Sequence, residues 1–441
     1  LILSRRPRSW NRSALLAGWL CTLAAGGVAS SVEDAAPSRD AQGGATALFA
    51  AKALLCEPEG RHVIDNAALV MEGGRITAVG RREGLELPAD CEVVDLGDAW
   101  IAPGQVGLHC HVGTPNPFFP NDINDTVYLT NPGLRASAST IASNRRLLDA
   151  AAGGVTTVLF IPGSGSNMGG QGVLLKTGKG GYEANEVRNP GSLKLAQAGN
   201  PERWMIRPGR SFMNWNTRNT FRRGIAYAKR WEAHRQGQGP EPEHDPQLEV
   251  FQALYEKRAQ VSTHTQMAQV VLMTIEMVRQ ELGLDVFIDH GSFDGYRAAA
   301  LAEETGVPAI LGPREIAAPI YSRYYDTDGR ILGMAAEYQR RGHTRIGFNT
   351  DSPIVPQGEL SLQAAMGARY GLDCSELEHV RGLTIVPAET AGIADRVGSL
   401  EVGKDADVVA VTGDPADPRS KVLMTFIDGE RVFDSTRDTL P

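Results

Sequence analysis

Apolar residues fall in short blocks along this chain, and the blocks at its two ends are spaced differently from those in the middle. Residues 67–80, AALVMEGGRITAVG, read as two short strands hinged at Gly73-Gly74, a pair suited to a hairpin turn. EVVDL at 92–96 reads as another strand. The C-terminal end shows the same arrangement, with ADVVAV at 406–411 followed by VLMTFIDGERVF at 422–433, where Asp428-Gly429 is the turn. These β-rich ends predict one small β-sandwich domain assembled from residues 47–103 and 395–435.

Between the ends, apolar runs alternate with helical patterns, the signature of parallel β/α architecture. Strand candidates lie at 106–111, 154–161, 173–176, 192–196, 260–265, 285–290, 307–312 and 345–351. Helical spacing marks MAQVVLMTIEMVRQEL at 267–282 and YRAAALAEE at 296–304. Eight strands predict an α/β fold, a (β/α)8 TIM barrel over residues 104–394. The third strand departs from the alternation, because only the loop PGSGSNMGGQ separates it from the second.

Composition narrows the picture at one end. Arg5, Arg6, Arg8 and Arg12 precede the apolar run SALLAGWLCTLAAGG, no acidic residue occurs before Glu33, and small residues follow at Val28-Ala29-Ser30. This layout predicts an export signal over residues 1–30 and delivery to a bacterial periplasm. The run is too short for a stable membrane span. Residues 31–46 are small and polar and read as a linker. A net charge of −8 with no basic stripe beyond the N-terminus argues against nucleic acid as a partner. Cys56, Cys91, Cys110 and Cys374 form neither a disulfide framework nor a CxxC zinc pair. A Cys56–Cys91 bridge is open on spacing alone. Oligomeric state is not legible in the chain.

The chemistry begins at IAPGQVGLHCHVG. On a strand, alternate side chains face the same way, so His109 and His111 point together and Cys110 points away. Two imidazoles on one wall make half of a divalent-metal site. Three more candidate ligands close predicted strands: His264 ends QVSTHT, His290 ends DVFIDH, and Asp351 ends RIGFNTD. In this barrel the C-terminal strand ends form the active face. Each residue alone has an ordinary explanation, a hydrogen-bonded histidine or a capping aspartate. Together they point to a metal site.

The order His-x-His, His, His, Asp resembles the amidohydrolase superfamily, over roughly residues 46–435. It is most similar to the imidazolonepropionase-like branch, with its dipeptidase- and prolidase-like members. Other pieces that carry the resemblance are AGGVTTVLFIPGS (152–164), GGQGVLLKT (169–177), LKLAQAGNPER (193–203), GVPAILGP (306–313), NTDSP (349–353) and GSLEVGKDADVVAVTGDP (398–415). The resemblance implies a divalent cofactor of one or two ions. Zinc is the default for imidazole-rich ligands, and Mn, Fe or Co fit similar donors. His109, His111 and Asp351 would hold one ion, and His264 and His290 the second. A carboxylated lysine would bridge them: Lys194 by strand order, or Lys176 as the alternative. Burial near cations lets such a lysine lose its proton before taking up CO2.

The activity implied is a metal-dependent hydrolase that cleaves a C–N bond in an amide, cyclic amide or short peptide. A metal-activated hydroxide would attack, with Asp351 as general base. Three stretches depart from the family pattern. Val106-Gly107-Leu108 replaces the acidic residue before His-x-His, Gly291-Ser292-Phe293-Asp294 stands where Gly-Thr-Glu is common, and Ala196 to Pro201 reads AQAGNP. All three touch substrate-facing loops. One alternative is a mononuclear heterocycle deaminase, but Met267 occupies the place of its usual acid after His264. The other is a non-catalytic metal-binding protein, which has no need of all five ligands in register. Trp215, Tyr296 and Tyr321 are candidate pocket residues, with core or surface roles favoured for each. His62, His234, His244, His343 and His379 read as surface or structural.

Overall fold

The computed structural model describes residues 44–59, 63–114, 124–203, 205–313, 315–318 and 329–438. The export signal, most of the linker, His62 and Tyr321 lie outside them.

The first five strands are β1 (Thr46–Leu54), β2 (Val63–Glu72), β3 (Arg75–Arg81), β4 (Glu92–Asp95) and β5 (Trp100–Pro103). Ten more follow through the middle: β6 (Gln105–Cys110), β7 (Val155–Phe160), β8 (Met168–Lys176), β9 (Glu186–Ala196), β10 (Gln260–Thr265), β11 (Val286–His290), β12 (Ala309–Leu311), β13 (Ile316–Ala317), β14 (Leu332–Gly333) and β15 (Ile346–Phe348). The chain closes with β16 (Val408–Val411), β17 (Val422–Ile427) and β18 (Glu430–Asp434).

At the place of the expected sandwich, the described strands form one connected eight-stranded sheet drawn from both chain ends. Its order is β18-β17-β16-β5-β1-β2-β3, with β4 on β1. β16 joins the ends by pairing antiparallel with β5, Val409 opposite Ala102. Asp428-Gly429 turns β17 into β18 with positive φ at both residues, the backbone that a tight hairpin requires.

The second eight-stranded sheet runs β15-β12-β11-β10-β9-β8-β7-β6. A parallel bridge between Cys110 and Ser352 brings its two edges together, and the His111 amide donates to the Ser352 carbonyl at 2.9 Å. The result is a nearly closed, TIM-like α/β barrel. Val106, Leu108, Leu159, Ile161, Leu174, Phe287 and Ile310 come from five strands around this sheet and pack into one buried cluster. Side chains of such distant strands meet only across the interior, so this cluster is the barrel's core.

One strand corrects the expected alternation. β8 pairs antiparallel with both β7 and β9, Val158 opposite Leu175 and Gln171 opposite Leu193. A short loop cannot return the chain to start a parallel strand, because a parallel crossover needs a dozen or more residues. The missing helix between the second and third strands therefore means a reversed strand. Its direction decides where one candidate ligand ends up.

Candidate metal centre

β6 and the residue after it deliver His109 and His111 to the C-terminal mouth of the barrel, where His264 is the last residue but one of β10 and His290 ends β11. Asp351 follows β15 by three residues. His290 and Asp351 both adopt positive φ, +77° and +47°. Such non-glycine backbone is uncommon, and it persists where surrounding structure enforces it, often at working sites.

These side chains converge. His109 Nε2 lies 3.1 Å from Asp351 Oδ1, and His111 Nε2 lies 3.5 Å from the same oxygen. The rings of His109 and His290 stand 4.5 Å apart between centroids, as do those of His264 and His290. One ligand atom each from His109, His290 and Asp351 falls within 4.8 Å of the others. The four imidazoles are buried, whereas the Asp351 side chain is 23% exposed and is the group of the five most open to solvent.

Tautomers follow from the partners. A carbonyl oxygen only accepts, so His111 Nδ1 donates to Ile161 O at 2.8 Å and His290 Nδ1 donates to Gly312 O at 2.9 Å. Each ring then presents a bare Nε2 to the centre. His290 Nε2 is buried and has no hydrogen-bond partner among the described residues, and His111 Nε2 faces a carboxylate that also only accepts. Lone pairs facing a carboxylate in a buried site repel unless a cation or proton lies among them. Two or three imidazole nitrogens with one carboxylate suit a divalent ion, so the residues fit the cofactor expected from the sequence.

The charge states of three of the four histidines agree with that fit. Burial pushes His290 down to about 4, with the neighbouring His109 adding to the shift. Burial likewise lowers His111, and drives His264 well below the ordinary histidine range. Neutral imidazole is the form that binds metal. At His109 burial is overcome by Asp289 and Asp351, which raise it, and that ring in turn outweighs burial at Asp351 and holds its carboxyl far below the usual range.

The two lysines part company. Lys194, buried on β9, places Nζ 3.3 Å from Asp289 Oδ2 beside the histidines. Lys176 ends the reversed strand β8 opposite Thr157, near the start of β7, and so emerges at the other end of the barrel. Its Nζ is held there by Asp407 at 2.6 Å, Asp405 at 3.1 Å and Asp428 at 3.5 Å, apart from the metal centre. Trp215 is exposed, and Tyr296 is buried in the core. The described cysteines, Cys56 and Cys91 among them, are free thiols.

Sequence reasoning missed Asp289. It is wholly buried, with Oδ2 2.6 Å from His109 Nδ1, and Asn349 Nδ2 donates to its Oδ1 at 3.3 Å. Asp289 shares strand parity with Phe287, whose inward direction only the fold reveals, and a charge on an inward position needs a partner.

Residues 335–432 match the profile of the Amidohydrolase family. Amidohydrolase tasK of Hapsidospora irregularis is 26% identical over 408 residues, 83% of this chain, and the chain spans 40% of that relative's length. The imidazolonepropionase of Pseudomonas putida is 26% identical over 381 residues, 80% of this chain and 89% of that protein. Among solved structures, an amidohydrolase from Thermotoga maritima MSB8 superposes with a TM-score of 0.77 at 28% identity, covering 88% of this chain and 100% of that one. The chain belongs to the amidohydrolase superfamily.

Proposed function

We propose that this chain is a metal-dependent hydrolase that cleaves a C–N bond in an amide, cyclic amide or short peptide. The observation that carries the reading is the set of bare imidazole nitrogens turned toward Asp351 at the barrel mouth. Similarity to an amidohydrolase and an imidazolonepropionase supports the bond type. In this reading the sheet drawn from both chain ends is the small second domain beside the barrel.

His109, His111 and Asp351 would hold one divalent ion, with zinc the default. His264 and His290 would hold a second, with a carboxylated Lys194 between the two. When bound, such an ion polarises the substrate carbonyl and lowers the pKa of water from about 15.7 towards 7. Asp351 is the acid–base residue. Its side chain is the open edge of the donor set, where it takes the proton of the attacking water and passes it to the leaving nitrogen. The buried histidines keep the site dry behind it. Lys176, committed to three carboxylates, takes no part.

The test joins metal analysis of the purified full chain with a panel of amides, cyclic amides and dipeptides. Asp351→Asn is expected to keep substantial metal and to lose turnover by roughly 10²–10⁴-fold, the usual worth of a general base. His264→Ala is expected to lose metal as well. Undiminished hydrolysis by Asp351→Asn removes the mechanism.

A further inference from the structure

The donor set does not include Asp289, yet this carboxylate touches two members of the centre at once. Its Oδ2 lies 2.6 Å from His109 Nδ1 and 3.3 Å from Lys194 Nζ, while Oδ1 accepts from Asn349 Nδ2. We propose that Asp289 is a positioning residue for metal loading: it holds His109 with its proton on Nδ1 and its lone pair on Nε2, and keeps Lys194 against the centre. The inference rests on the metal-dependent reading above and adds a residue to it.

A neutral imidazole carries one N–H, and the nitrogen without it is the one that ligates. Backbone carbonyls of Ile161 and Gly312 settle this for His111 and His290. For His109 the group nearest Nδ1 is a full carboxylate, 2.6 Å away but not aligned as a hydrogen bond in this structure. A carboxylate in that place makes the opposite nitrogen more basic and adds negative charge behind a cation. Strand geometry makes the arrangement economical: Asp289 immediately precedes His290 on β11 and pairs with His264 across β10. The turn of backbone that aims His290 therefore also aims the support of His109.

The experiment titrates metal-free full-length protein with zinc against a chelating competitor, for wild type and Asp289→Asn. Zinc binding is expected to weaken about 10–100-fold in the variant. The ¹⁵N spectrum of His109 should move from the Nδ1-protonated tautomer to a mixture, which a purely structural role would not cause. If the single variant fails to fold, Asp289→Asn/Lys194→Met is compared with Lys194→Met, since the double variant leaves no unpaired buried cation. Zinc affinity within about threefold of the reference, or an unmoved His109 tautomer, overturns the proposal. Wild type that takes up no zinc overturns the metal-dependent reading itself, and this one with it; a variant that binds zinc as tightly as wild type overturns only this one.

Discussion

His379 and His343 are buried histidines outside the candidate metal centre, and their surroundings give them opposite charge states. Burial pushes His343 down to about 4, whereas for His379 burial is overcome by Asp414, 2.9 Å from Nε2, and by the Cys374 thiol, which push it up to about 9. A histidine raised above its ordinary value near 6.5 stabilises the fold fully below that pH and loses its contribution as pH rises through 9. Removing the pair therefore costs on the order of 1–2 kcal/mol at pH 6, after allowance for solvent around Asp414, and little at pH 10. Urea midpoints of wild type and His379→Gln across that range check it: the gap should narrow as pH rises. At this scale the candidate ligands were legible, because four histidines and an aspartate all fall at or just past the ends of apolar runs. Asp289 was not, because an acid inside an apolar run reads as an outward-facing residue until the strand's inward parity is known.

Loops between strands carry the next constraint. Gly312, at the end of β12, has φ of +127°, and a Cβ built there would stand 2.2 Å from the Asn349 carbonyl. Its own carbonyl receives the His290 Nδ1 proton. Gly312→Ala must move backbone at the rim of the centre, since Asn349 has no flexible atoms to give at that point. A loss of roughly 2–4 kcal/mol is expected in urea unfolding, with a lower metal content per chain. Full metal loading in the variant would show that His290 is oriented without this loop. The reversed strand β8 was foreshadowed by its short approach loop, but direction is not written in an apolar run. VLLK has the same hydrophobic pattern whichever way it enters the sheet.

At the scale of the whole molecule, Lys176 ties the far end of the barrel to the other sheet, meeting Asp405 and Asp407 beside β16 and Asp428 in the β17–β18 turn. Both Asp405 and Asp407 are buried. Lys176→Met leaves Asp407 without its cation, while Asp405 keeps Arg75 and Arg396 and Asp428 keeps Lys179. Breaking a buried pair in this way costs about 3–5 kcal/mol. The expected result is a lower denaturation midpoint with unchanged metal per chain, read by calorimetry and metal analysis. Metal loss on that substitution would return Lys176 to the centre. By itself the sequence determined the family, the identity of five candidate ligands and the two β-rich ends, because periodicity and residue type report which faces are buried and which groups can bind. Only the tertiary structure decided which lysine approaches the histidines, which way the third strand runs and what stands behind His109. Those depend on strand direction and on distances between residues far apart in the chain, which local pattern does not encode.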